Sequence, residues 1–175
     1  MLGTGLSSAI EHSILIVGLA ASVFGAFALA TGTALRNERV QRAVHLYGFI
    51  ALAAAVGAVV LMERGLITRD WSLAYVQKVG SRHTPPLFNF TALWSALEGS
   101  ILLWLLLLAM YLIIVLRKYK ARLTDPLISW TAVVMFAVTA FFFFLSLGPT
   151  DAFRQGVVPA NFDTCCSGQI GRAHV

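Results

Sequence analysis

A single carboxylate, Glu98, stands at the head of a long apolar run. The stretch reads TALWSALEGSILLW, from Thr91 to Trp104, and places a glycine directly after the acid. Acids inside a membrane usually face the interior of a bundle, where they bond a polar group or a ligand. At the membrane–water boundary the same acid could instead be solvated and flanked by the interfacial residues Trp94 and Trp104. The sequence leaves both readings of Glu98 open.

Histidine and cysteine are the other residue types that could bind haem or a metal. Metal sites need clustered ligands, whereas the histidines are far apart in the chain. The two cysteines are adjacent and form neither a C-x-x-C redox pair nor a C-x-x-C-H haem-attachment motif. We therefore predict no metal ligand, and only the histidine at position 83 keeps some interest because its segment is predicted to be external. The residues are His12, His45, His83, His174, Cys165 and Cys166.

The composition places the chain in a membrane. Of its 175 residues, 58% are hydrophobic and 12% are charged, whereas soluble domains carry about 25% charged residues. So few charges could not cover a globular surface. The net charge of +5 comes from short loops without interleaved aromatics, which excludes nucleic acid as a partner. No phosphate-binding glycine loop, catalytic triad or zinc spacing is present, so a self-contained hydrolase is excluded as well.

Four apolar spans reach the ~20 residues needed to cross a bilayer. They cover about residues 10–35, 44–62, 91–116 and 127–148. In lipid they must be helical, because an isolated strand cannot satisfy its backbone there. The sequence therefore predicts an all-α integral membrane bundle of about four transmembrane helices. Small residues four apart are candidates for close helix contacts, namely Gly18 with Ser22, Ala21 with Gly25, and Ser95 with Gly99.

Basic residues predict the orientation of this bundle. The connections Arg36–Arg42 and Arg117–Pro126 are rich in arginine and lysine, which places them in the cytoplasm. The loop 63–90 and everything after Gly148 are then external, giving an N-out/C-out topology. The first span precedes any basic residue and is a retained helix rather than a signal peptide. The uncharged residues that follow Glu98 make about 27 Å of helix, so this acid is expected near the outer boundary.

Several of these residues resemble a known family. WSLAYV (Trp71–Val76), followed some fifteen residues later by TALWSALEGSILLW, and the exit GPTDAFRQ after the fourth span are similar to the N-terminal part of the CcmF family, the haem lyases of bacterial cytochrome c maturation. Many members have histidine before the glutamate, where this chain has Leu97, which weakens a haem-ligating role at this spot. The residues that carry the motif are Trp71, Ala74, Tyr75, Val76, Trp94, Glu98, Gly99 and Ser100.

The resemblance implies a function for a longer protein of the bacterial inner membrane. That protein would take haem from a membrane-anchored chaperone and promote its covalent attachment to apocytochrome c, together with other membrane subunits of the maturation complex. The family's haem-binding positions lie beyond this chain. Haem is therefore expected in the intact protein, while this N-terminal piece supplies scaffold, part of an external rim and no catalytic residue. The loop around Trp71 and Tyr75 either closes the bundle or lines the face where haem and apocytochrome meet.

Two further expectations follow from the sequence. A transporter or channel subunit, with Glu98 lining the path, is the alternative function. Residues 1–163 are predicted to be the native transmembrane region and residues 164–175 a non-native tail. The ending QIGRAHV, Gln169–Val175, can be back-translated into a sequence that resembles a common sequencing adapter.

Overall fold

The computed structural model describes residues 2–35, 38–68, 73–74, 76, 97–123, 125–151 and 153–154. Within them the chain forms four long helices, and each contains an apolar stretch long enough to cross a membrane. The predicted all-α membrane bundle is thereby confirmed. The helices are α1 (Leu2–Ala34), α2 (Glu38–Thr68), α3 (Leu97–Lys118) and α4 (Pro126–Leu147), with a short 3-10 helix, Lys120–Arg122, between α3 and α4.

The helices extend further than the apolar spans. Helix α1 begins at Leu2 rather than near residue 10, and α2 covers Glu38–Thr68 rather than 44–62. The part of the predicted external loop from Glu63 to Thr68 is therefore helical, as is the end of the predicted cytoplasmic connection. An apolar span in the sequence marks only the residues that lie in the hydrocarbon core of the bilayer. The 31 residues of α2 make about 46 Å of helix against a core of ~30 Å, so its ends reach into water.

Each helix packs against two neighbours. Helix α1 lies between α2 and α4, and α3 lies between the same two helices on the opposite side. Contacts between the helices show antiparallel neighbours: Gly18 and Gly25 of α1 lie against Phe143 and Phe136 of α4, in reverse order. The turn into α4 is fixed locally, because the Asp125 side chain accepts a hydrogen bond from the Leu127 N–H at 3.2 Å and Pro126 occupies the first helical position. Proline there loses no hydrogen bond, since the first N–H groups of a helix have no intrahelical partner.

Glycines in α1 make room for phenyl rings of α4. The ring of Phe143 lies over Gly18, and the ring of Phe136 lies over Gly25, where an added Cβ would stand 2.5 Å from the ring. Both rings are fully buried. Seven residues separate the two glycines and seven separate the two rings, as expected for antiparallel helices crossing at a shallow angle. Two of the small residues predicted at helix contacts, Gly18 and Gly25, thus lie against another helix, where they accommodate side chains rather than a neighbouring backbone.

Buried hydroxyls in the bundle bond within their own helices. Ser22, Thr139 and Ser146 each donate to the carbonyl oxygen four residues earlier, at 2.8 to 2.9 Å. Between helices, Thr33 of α1 is hydrogen-bonded to Ser129 of α4. These hydroxyl groups are therefore hydrogen-bonded without water.

Candidate functional site at the acidic end

Carboxylates gather at one end of the bundle, which we call the acidic end and define by Glu11, Glu63, Glu98 and Asp151. The Nε2 atom of His12 in α1 lies 3.3 Å from Oδ1 of Asp151, just after α4. This contact ties the start of the first described helix to the exit of the last. Both side chains are more than one third exposed, so the pair sits at the rim rather than in the core.

Glu98 continues the buried stripe of α3. It stands in the first turn of the helix and is half-buried. Residues at the same helical register further along α3 are fully buried, including Leu102, Leu105 and Leu116. A side chain at this register points toward the bundle rather than toward lipid. Of the two readings that the sequence left open, the geometry favours the bundle-facing one.

The two residues after Glu98 lie beside it in different environments. Gly99 is buried, whereas Ser100 is half-buried. The preceding residue, Leu97, is 65% exposed and therefore lies on the outer surface of α3. The turn thus places an apolar side chain outward and the carboxylate inward, which explains how one acid can stand in an otherwise apolar run.

Two acids of this end were missed by the sequence reasoning. Glu11 is only 8% exposed and stands four residues before Leu15 and seven before Gly18, on the buried stripe of α1. This spacing of four and then three residues places Glu11 on the same helical face as Leu15 and Gly18, and it is the sequence pattern that could have identified Glu11 as buried. Glu63 is half-buried, and neither of its carboxylate oxygens has a hydrogen-bond partner among the described residues. The sequence pattern places Glu63 in the external loop, because a charged residue after the apolar span 44–62 marks the end of that span.

Glu63 and Glu98 stand at about the same depth on neighbouring helices. Gly48 of α2 lies against Ile113 and Leu116 of α3, which sets the register of the pair. Glu63 is 15 residues from Gly48, and Glu98 is 15 residues from Ile113, or about 22 Å in each case. Two carboxylates thus occupy one level on adjacent helices.

Part of the WSLAYV segment packs against the bundle at the acidic end. The Ala74 N–H donates to the Arg154 carbonyl oxygen at 2.9 Å, which joins this segment to the chain after α4. Leu73 and Val76 pack against α2 at Gly65 and are 2% and 0% exposed. Both belong to the same core cluster as Phe153. The other motif residues, Trp71, Tyr75, Trp94 and position 95 among them, lie outside the described residues, as do His83, His174, both cysteines and the tail 164–175.

The described residues do not fit a haem or metal site. No group of three or more histidines, cysteines or acids among them could hold a metal ion. His12 lies at the acidic end, whereas His45 lies at the opposite end, with its Nε2 atom 3.1 Å from the Leu116 carbonyl oxygen. Because these two histidines lie at opposite ends of the bundle, they cannot both bind one haem iron.

Comparisons with known proteins agree with this architecture. No protein-family model matches the chain. It is 27% identical over 93 residues to the cytochrome c-type biogenesis protein CcmF of Escherichia coli, covering 53% of this chain and 14% of that protein. It is 32% identical over 102 residues to the cytochrome c-type biogenesis protein ccl1 of Rhodobacter capsulatus, covering 58% of this chain and 14% of that protein.

A solved structure gives the same result. The structure named cytochrome c heme lyase CcmF matches with a TM-score of 0.72 at 29% identity, covering 81% of this chain and 24% of that one. The chain thus spans a small part of the length of each protein that it matches. In both sequence and fold, the chain is a CcmF-like membrane helix bundle.

Proposed function

We propose that the chain is part of a haem lyase of cytochrome c maturation and contributes scaffold and an external rim to it. The observation that carries the proposal is the structural match to the CcmF haem lyase at a TM-score of 0.72 and 29% identity. Two relatives named for cytochrome c biogenesis support it independently. The chain would lie in the bacterial inner membrane, with the haem chaperone, apocytochrome c and further membrane subunits as partners of the whole protein.

The acidic end is the part we assign to that rim. Acids at membrane depth are rare, and by default they mark functional positions. Here Glu11, Glu63 and Glu98 come from three different helices and lie at one end of the bundle, near the buried side chains of Leu73 and Val76. Haem and apocytochrome are handled as substrates of the whole protein. The role of this part is to present a polar surface to them, and it is not expected to act as an enzyme alone.

A transporter, the alternative function, would need a polar path through the bundle. Below the acidic end the described core is apolar, with Leu15, Ala55, Met62, Leu102 and Phe143 at 0% exposure. Its buried hydroxyls are satisfied within single helices or between one pair of helices. We therefore favour a surface role for Glu98 over a place along a transport path.

A chimaera tests the proposal in cells that lack their own CcmF. Residues 1–154 of this chain replace the matching segment of the Escherichia coli relative, and c-type cytochromes are measured by haem staining of membrane proteins. The expected result is that the chimaera restores haem-stained c-type cytochromes. No restoration by a chimaera that is present in the membrane at the level of the parent protein would refute the assignment.

Substitutions in the same chimaera test the rim. Glu98→Gln and Glu63→Gln should each lower cytochrome c yield, whereas Glu98→Asp, which keeps the carboxylate, should retain more of it. Leu97→Gln is the matched control, because it adds an amide at the same depth on the outward side of α3. A Glu98→Gln chimaera with unchanged yield would remove this residue from the functional surface.

A further inference from the structure

Four cations crowd the cytoplasmic turn between α3 and α4, which we call the basic end and define by Arg117, Lys118, Lys120 and Arg122. The first two close the last turn of α3, and the others belong to the 3-10 helix. All four are exposed. Arg117, Lys118 and Lys120 line a surface pocket of about 520 Å³ together with Ala121. Because all four side chains are exposed, packing of the helix bundle does not explain why four charges are gathered here.

These cations have no carboxylate partner among the described residues. The ion pair of His12 with Asp151 lies at the opposite end of the bundle. The nearest acid in sequence, Asp125, accepts a hydrogen bond from the Leu127 N–H and so caps α4. Among the described side chains, the pocket is therefore lined by three cations and no carboxylate, an arrangement that attracts an anion.

Two of the cations are held against aromatic rings. The guanidinium carbon of Arg117 lies 5.1 Å from the centre of the Phe49 ring, and the Lys118 Nζ atom lies 5.8 Å from that of Tyr119. Both distances are within the range of a cation–π contact. Such contacts restrict the side chains in the absence of any anion, which lowers the entropy lost when an anion binds.

The surface beside the pocket is apolar and outward-facing. Phe49 is 41% exposed, Leu46 is 62% exposed and Ile114 is 48% exposed. Phe49 therefore contacts the Arg117 guanidinium and also forms part of the outward-facing surface of α2. A ligand that fits this boundary carries an anionic group for the pocket and hydrocarbon for the adjoining surface. A soluble anion would use only the first of these features.

We propose that the basic end binds the headgroup phosphate of an anionic phospholipid of the cytoplasmic leaflet, with the acyl chains lying along Leu46, Phe49 and Ile114. Juxtamembrane clusters of four or more basic residues attract anionic lipid, and basic pockets at the ends of transmembrane helices bind lipid headgroups. The pocket would then anchor this end of the bundle at a fixed depth. This site is separate from the acidic end and does not depend on the function proposed for it.

Lipid retention by the purified full chain tests the proposal. The protein is exchanged into dodecylmaltoside micelles doped with phosphatidylglycerol or with phosphatidylcholine of the same acyl chains, and bound lipid is counted by native mass spectrometry. The wild-type chain should retain phosphatidylglycerol in preference. Lys120→Gln with Arg122→Gln should weaken that binding by roughly thirtyfold. Equal retention of the two lipids by the wild type would overturn the proposal.

A matched variant controls for the loss of charge itself. Arg64→Gln with Arg154→Gln removes two exposed cations from the opposite end of the bundle and should leave retention unchanged. An equal loss in both double variants would mean that net charge, rather than the basic end, attracts the lipid. Competition by millimolar glycerol 3-phosphate separates the two sources of phosphate. Displacement of phosphatidylglycerol by it would identify a soluble-anion site and refute the lipid proposal.

Discussion

The packing of α1 against α4 can be tested with two glycine-to-alanine substitutions that differ only in their surroundings. At Gly18 an added Cβ would overlap the Phe143 ring and stand 2.9 Å from the Ala54 Cβ. At Gly57 the nearest atoms are those of Ile14, at 3.6 and 3.8 Å, an ordinary van der Waals contact. Both positions lie inside long helices, so the backbone effect of the substitution is the same.

The expected difference follows from two opposing effects. Alanine is favoured over glycine in a helix interior by about 1 kcal/mol, so Gly57→Ala should raise the free energy of unfolding by about that amount. Overpacking a well-filled core costs about 1–3 kcal/mol. Gly18→Ala should therefore leave the bundle about 0–2 kcal/mol less stable than the wild type, because the buried Phe143 ring and the Ala54 methyl group of α2 leave little room to adjust.

The assay is reversible unfolding of the purified chain by dodecyl sulfate in dodecylmaltoside micelles, followed by far-ultraviolet circular dichroism. A Phe143→Leu background provides the second half of a double-mutant cycle. If the Phe143 ring causes the clash, Gly18→Ala should cost less there, with a coupling energy of about 0.5–3 kcal/mol. A Gly18→Ala variant as stable as Gly57→Ala would refute the ring-on-glycine contact.

Three further predictions concern the ends of the bundle. Asp125→Ala should cost about 1 kcal/mol in the same titration, because it removes the cap of α4, while Asp125→Asn should largely preserve stability. Asp151→Asn should cost less than about 1 kcal/mol, because its contact with His12 is exposed to solvent, and a larger loss would place the pair in the core. Cysteines introduced singly at Ala121 and Thr150, after Cys165 and Cys166 are changed to serine, should report the topology. A membrane-impermeant maleimide should label intact cells at position 150 only, and the reverse pattern would contradict the N-out/C-out topology.

The helices were predictable because lipid leaves the backbone few alternatives. The span predicted at 127–148 lies within one residue of α4, Pro126–Leu147, at each end. There Asp125 and Pro126 give a local start signal that propensity rules recognise. No comparable signal stopped α2, so its extension to Thr68 could not be read from hydropathy. The length of the helix beyond the apolar span depends on tertiary contacts, such as that of Gly65 with the buried Leu73 side chain.

The candidate site was only partly predictable, for a different reason. Glu98 was found because one acid interrupts one apolar run, which is a local pattern. The hydrogen bond from Ala74 to Arg154 joins segments 80 residues apart, and no local pattern encodes such a pairing. Glu11 and Glu63 required knowledge of which face of each helix is buried. That knowledge comes from neighbouring helices rather than from the helix that carries the acid.

The positions of the acids suit the acidic end of the bundle to contact with polar groups. Glu11 and Glu98 occupy positions where the buried stripes of α1 and α3 would otherwise continue with apolar residues such as Leu15 and Leu102. Leucine there would pack without the cost of taking a charged group out of water. The chain instead ends these stripes with carboxylates and packs Leu73, Val76 and Phe153 into the same core cluster at this end. The half-buried Glu98 and the partly exposed pair of His12 and Asp151 are the groups of this end that a polar partner can contact, and the described core beneath them is apolar.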